Sequence, residues 1–118
     1  MLTIKAGRTA YFDVDDTLLK WESCSKHENN AVKVINNGHT FYKQAIYPNV
    51  EALKDHSQAG HVVVVWSAGG VEWAESVIHA LRLEKYVDIV LTKPDWYYDD
   101  KEADHWLPER QFKGDNAI

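Results

Sequence analysis

Three carboxylates, Asp13, Asp15 and Asp16, fall within one short stretch of the run Tyr11-Phe12-Asp13-Val14-Asp15-Asp16-Thr17-Leu18-Leu19. Their mutual repulsion is costly unless a cation compensates it. They follow directly on an apolar, strand-favouring run. Alternate residues of an extended strand point the same way, so Asp13 and Asp15 can face one pocket while Asp16 turns aside. An all-oxygen ligand set suits Mg²⁺, which keeps several waters and commonly bridges to a substrate phosphate. One carboxylate could then attack phosphorus while its neighbour handles the proton. Taken alone, Asp-x-Asp after a strand is as readily a solvated acidic turn. Further stations have to come from the rest of the chain.

The elements that would position such stations read in order. Residues 9–14 form an apolar strand delivering the acidic cluster at its carboxyl end, and the polar stretch 20–30 reads as a loop. Two partly alternating runs flank Asn36-Asn37-Gly38, which predicts a small β-hairpin flap over about 31–47. Pro48 to Ala59 reads as a short helix stopped by Gly60. The continuous apolar run His61 to Trp66 is the pattern of a parallel strand covered on both faces, and it enters Ser67-Ala68-Gly69-Gly70. Trp73, Ala74, Val77, Ile78 and Leu81 recur at helical spacing, which predicts a helix over 71–83. A strand over 87–91 leads to Thr92-Lys93-Pro94, and Trp96-Tyr97-Tyr98 reads as a short fourth strand ending in Asp99-Asp100. The alternation of strands and helices predicts an α/β fold, a Rossmann-like, mostly parallel sheet with flanking helices and a small flap. Ligands of such sheets bind beyond the carboxyl ends of the strands.

Composition narrows the possibilities. The 118 residues suit one compact domain with a single core, residues 1–118. No apolar run is long enough to span a membrane and nothing marks the start for export. The lone Cys24 excludes an internal disulfide and fits a reducing cytoplasm. A net charge of −5 opposes attraction to long nucleic acids. The six histidines show neither an i, i+4 pair nor a cysteine partner of the kind a zinc site needs.

With these stations in order, the chain resembles the haloacid-dehalogenase superfamily of aspartate-dependent phosphotransferases, from Tyr11 to about Asp104. Phe12 to Leu18 resembles the first motif, which implies Asp13 as nucleophile and Asp15 as general acid and base. Val63 to Gly70 resembles the second, with Ser67 bonding the phosphoryl oxygens. Lys93 stands where the third-motif lysine would, and Tyr97 to Asp104 is similar to the acidic fourth motif. The resemblance implies that Asp13, the backbone carbonyl of Asp15 and Asp100 hold Mg²⁺, with Asp99 and Asp104 beside or behind them. Thr17 can orient the first loop and contribute a hydroxyl. The loop after Ser67 enters a helix, where anions are favoured.

The activity so implied is a Mg²⁺-dependent phosphomonoesterase working through an aspartyl-phosphate, on a nucleotide or another small phosphorylated metabolite. Alternatives are a phosphate-binding module without turnover, or a phosphatase of nucleic-acid ends or phosphoproteins. Fewer than thirty residues separate Leu19 from Pro48, room for a flap and little more. By the resemblance, such nearly capless members take bulky substrates or borrow a lid by oligomerising. A short tail after Asp104 leaves a sheet edge that a homodimer would cover. Trp21, Phe41, Tyr42 and Tyr47 are candidates for stacking on a base or for packing against the sheet.

Overall fold

The computed structural model describes residues 7–107, 110 and 111. Its first sheet is parallel. Strands β1 (Thr9–Asp13), β5 (Val62–Ser67) and β6 (Ile89–Thr92) lie in the order β1-β5-β6, with Asp13 opposite Trp66 and Ser67 opposite Thr92. The second sheet is antiparallel, built from β2 (Leu19–Ser23), β3 (Ala31–Asn36) and β4 (His39–Ala45) in the order β2-β4-β3. Two helices, α1 (Tyr47–Gln58) and α2 (Val71–Ala80), connect and flank the parallel strands. No helix among the described residues is long and apolar enough to cross a membrane.

Local chemistry explains most of these boundaries. Asn37 and Gly38 both take positive φ, 54° and 79°, the backbone that a two-residue hairpin between β3 and β4 demands. Pro48 sits at the start of α1, where its missing N–H costs nothing. Gly60 at φ 85° ends the same helix. Trp73, Ala74, Val77 and Ile78 line the buried side of α2.

Both helices cover one face of the parallel sheet. Val63 and Val65 of β5 pack with Val50 and Leu53 of α1, with Trp73, Ala74 and Val77 of α2, and with Phe12 and Val90 from the flanking strands. The strand order accounts for this, because two right-handed crossovers stepping in the same direction place their helices on the same side. The opposite face carries Tyr11, Ile89 and Leu91, which are 45, 44 and 39% exposed. The apolar run of β5 had suggested cover on both faces. Among the described residues after β6, the only helical element is the single 3-10 turn Ala103–His105.

Two further expectations are corrected. The stretch 20–30, expected as a loop, begins as strand β2. As an edge strand it turns Leu19 to the core and exposes Trp21, Glu22 and Ser23, so no apolar alternation marks it. Trp96-Tyr97-Tyr98, expected as a fourth strand, pairs with no strand among the described residues and is exposed. Much of the tail after His105 lies outside the described residues.

Candidate active site

Three strand ends stand side by side. Asp13 closes β1, Ser67 closes β5, and Lys93 follows β6 with its N–H donating to the Ser67 carbonyl at 2.9 Å. Neighbouring strands lie about 4.8 Å apart, so the middle strand separates Asp13 from Lys93 by roughly two spacings. The lysine side chain spans that gap, bringing Nζ to 3.7 Å from Asp13 Oδ1. On the other carboxylate oxygen, Thr17 Oγ1 donates to Oδ2 at 3.3 Å. Each oxygen of Asp13 therefore has its own donor or cation.

The acidic loop is held by its own backbone. The N–H groups of Thr17 and Leu18 both donate to the Val14 carbonyl, at 3.2 and 2.9 Å. Asp16 takes the left-handed region at φ 61°, and its Oδ1 accepts from the Trp21 N–H at 2.9 Å. This ties the Asp16 side chain to the backbone of β2. Val14, Leu18 and Leu19 are fully buried and anchor the loop from beneath. Asn49 of α1 donates to the Thr17 carbonyl at 2.9 Å, tying the loop to the helix that follows the hairpin.

Asp15 occupies a different environment. Trp73 of α2 donates its indole N–H to Asp15 Oδ1 at 2.9 Å. Burial pushes the Asp15 carboxyl above its ordinary value; the Trp73 bond and the Lys43 charge oppose that rise, and Asp13 and Asp16 add to it. Lys43, on β4, is only 4% exposed. Among the described residues its ammonium makes one hydrogen bond, to the Trp21 carbonyl, and it lies over the rings of Trp21, Phe41 and Trp73 at 4.8, 5.9 and 5.8 Å. Neither Lys43 nor the Trp73 indole was singled out as a site residue from the sequence. Each looks locally like an ordinary strand or helix residue, and each reaches the loop through tertiary packing.

Ser67 is buried, its Oγ accepting from the Gly69 N–H at 3.0 Å, which leaves the hydroxyl hydrogen to donate. The loop carries Gly70 at φ 101° and enters α2, whose first N–H groups have no side-chain cap. Uncapped N–H groups at a helix start favour an anion. Asp99 and Asp100 are exposed, and Asp99 Oδ1 accepts from the Lys101 N–H at 3.0 Å. Among the described residues no three His, Cys, Asp or Glu side chains are grouped to hold a metal ion. The structure thus gathers Asp13, Asp15, Thr17, Ser67 and Lys93 at one edge of the sheet, without grouping Asp99 and Asp100 with the two loop carboxylates. Mg²⁺ commonly takes one or two carboxylates, with waters and substrate phosphate completing its shell. Of the ligands the resemblance implies, Asp13 and the backbone carbonyl of Asp15 lie on this loop, and Asp100 does not join them in a metal-binding group among the described residues.

No protein-family model, curated protein or solved structure matches the chain.

Proposed function

We propose that the chain is a Mg²⁺-dependent phosphomonoesterase of haloacid-dehalogenase type, with a Rossmann-like core and the β3–β4 hairpin as a flap beside the site. The observation that carries this reading is the reach of Lys93 across β5 to Asp13, with Thr17 on the second carboxylate oxygen. A lysine drawn over a neighbouring strand to one aspartate, at the edge where α/β sheets bind ligands, prepares that aspartate to receive a doubly charged phosphate.

Asp13 attacks phosphorus in line and the phosphoryl group passes to its oxygen, giving an aspartyl-phosphate. Asp15, the carboxyl held by Trp73 and raised by burial, protonates the departing oxygen. It then takes a proton from the water that opens the acyl phosphate, releasing inorganic phosphate and restoring Asp13. Lys93, the Ser67 hydroxyl and the N–H groups entering α2 face the negative charge of the phosphoryl oxygens. Asp13 and the backbone carbonyl of Asp15 would hold Mg²⁺, which when bound supplies charge neutralisation between carboxylate and phosphate.

A second reading, a phosphate-binding module without turnover, is favoured by one observation, that no third acidic side chain among the described residues joins Asp13 and Asp15. Phosphate release from a panel of nucleoside monophosphates, sugar phosphates, a 3′-phosphorylated oligonucleotide and an aryl phosphate separates the two. The phosphatase reading expects release that requires Mg²⁺ and is lost in Asp13→Asn. Binding of Mg²⁺ and phosphate with no release from any ester selects the binding module.

A further inference from the structure

The four aromatic residues considered for substrate contact fall into different places. Phe41 packs against the core and meets Trp73 edge-on at 5.8 Å, and Tyr42 is half-buried. Tyr47 opens α1. Trp21 is 59% exposed, yet both of its backbone polar groups are fixed, the N–H by Asp16 of the acidic loop and the carbonyl by Lys43. A large indole on a pinned backbone is a rigid contact surface with little ordering cost on binding.

The direction of the reaction gives Trp21 a candidate partner. In an in-line displacement the leaving oxygen lies opposite the attacking oxygen of Asp13, on the side where Asp15 gives up its proton. Trp73 holds Asp15, and the Lys43 ammonium lies over the rings of both Trp73 and Trp21. Contacts thus run from Asp15 through Trp73 and Lys43 to Trp21, whose side chain is exposed. An ammonium behind an indole draws on its π-density and leaves the front face better matched to an electron-rich ring.

We propose that Trp21, backed by the buried Lys43, is the leaving-group platform of this site, stacking the base of a nucleoside monophosphate whose phosphate is received at Asp13 and Lys93. The inference rests on the phosphomonoesterase reading and narrows its substrate class. The net charge of −5 selects a free nucleotide over the phosphorylated end of a long strand, because a polyphosphate backbone would be repelled.

Adenosine 5′-monophosphate and ribose 5-phosphate share phosphate and sugar and differ by the base, so their ratio isolates the platform. The ratio is measured in two ways with wild type, Trp21→Ala and Trp21→Phe: as kcat/KM, and as affinity by calorimetry in the Asp13→Asn background. The nucleotide preference should fall by roughly tenfold in Trp21→Ala in both measurements, the scale of one base–aromatic stack, and largely survive in Trp21→Phe. Equal loss on both ligands, or loss on neither, overturns the platform while leaving the phosphatase reading in place. Absence of turnover of every ester in wild type, with nucleotide binding still dependent on Trp21, keeps Trp21 as a base-stacking surface and overturns both its leaving-group role and the phosphatase reading. Preferential turnover of a 3′-phosphorylated oligonucleotide over the mononucleotide overturns the assigned substrate.

Discussion

Replacing Trp73 by phenylalanine tests how the structure holds Asp15. The substitution removes the indole N–H that donates to Asp15 Oδ1 at 2.9 Å and keeps a ring near the edge contact with Phe41. A hydrogen bond to a charged acceptor contributes about 1.5–3 kcal/mol in a buried setting, and the solvent access of Asp15 reduces this to about 1. The missing ring atoms of a buried tryptophan add about 1 kcal/mol of lost packing. The total of about 2 kcal/mol corresponds to a fall in Tm of roughly 8 °C for a chain of this length. The pH dependence has a definite sign. Burial raises the Asp15 carboxyl, so ionising it costs stability, a cost absent below its unfolded value and felt as pH rises through its folded value. The Trp73 bond limits that cost. Removing it widens the deficit of the variant at neutral pH, and the gap to wild type should narrow, by up to about 1 kcal/mol, as pH falls from about 7 to below the ordinary carboxylate range. Urea unfolding of both proteins across that range is the assay. A gap that stays constant with pH would refute the argument, leaving Trp73 a packing residue alone.

Lys93→Met should leave stability within about 1 kcal/mol in urea unfolding, because its ion pair with Asp13 is partly exposed. Phosphate release from an ester should fall by roughly 100-fold in the same variant. Leu18→Ala empties a fully buried site directly behind the acidic loop, and a loss of about 2–5 kcal/mol is expected by chemical denaturation. Gly70→Ala meets no atom within 4 Å but forces a side chain onto φ 101°, so a strain cost of about 1–3 kcal/mol should appear in thermal unfolding.

Where structure follows from local chemistry, the chain could be read directly. The Asn37-Gly38 turn, the helical spacing of Trp73 to Ile78 and the valine run of β5 each carry their own signal, and each forms close to where it was expected. Strand β2 carries no such signal, because an edge strand with one buried residue looks like a polar loop. The half-exposed second face of the parallel sheet was hidden for another reason. Val64 is buried although Tyr11, Ile89 and Leu91 on the same face are half-exposed, so the run Val62 to Val65 is apolar without a helix on the second side among the described residues. At the site, Asp13, Asp15, Ser67 and Lys93 were legible as strand-end residues. The partners that distinguish Asp15 from Asp13 were not, since Trp73 and Lys43 arrive from other elements and neither lies in a motif. Asp99 and Asp100 stood out by composition, and their place beside the loop depended on a fourth strand that the segment does not form among the described residues.

The central claim is that phosphate passes through a covalent bond to Asp13, and the most direct measurement is to find that bond. The protein is mixed with Mg²⁺ and a substrate chosen from the phosphate-release panel, quenched in acid, and reduced with borohydride, which converts an acyl-phosphorylated aspartate to homoserine. Peptide mass spectrometry then locates the conversion. The account predicts homoserine at position 13, dependent on substrate and metal. Conversion at Asp15 or Asp16 instead, or turnover with no converted residue, would contradict it.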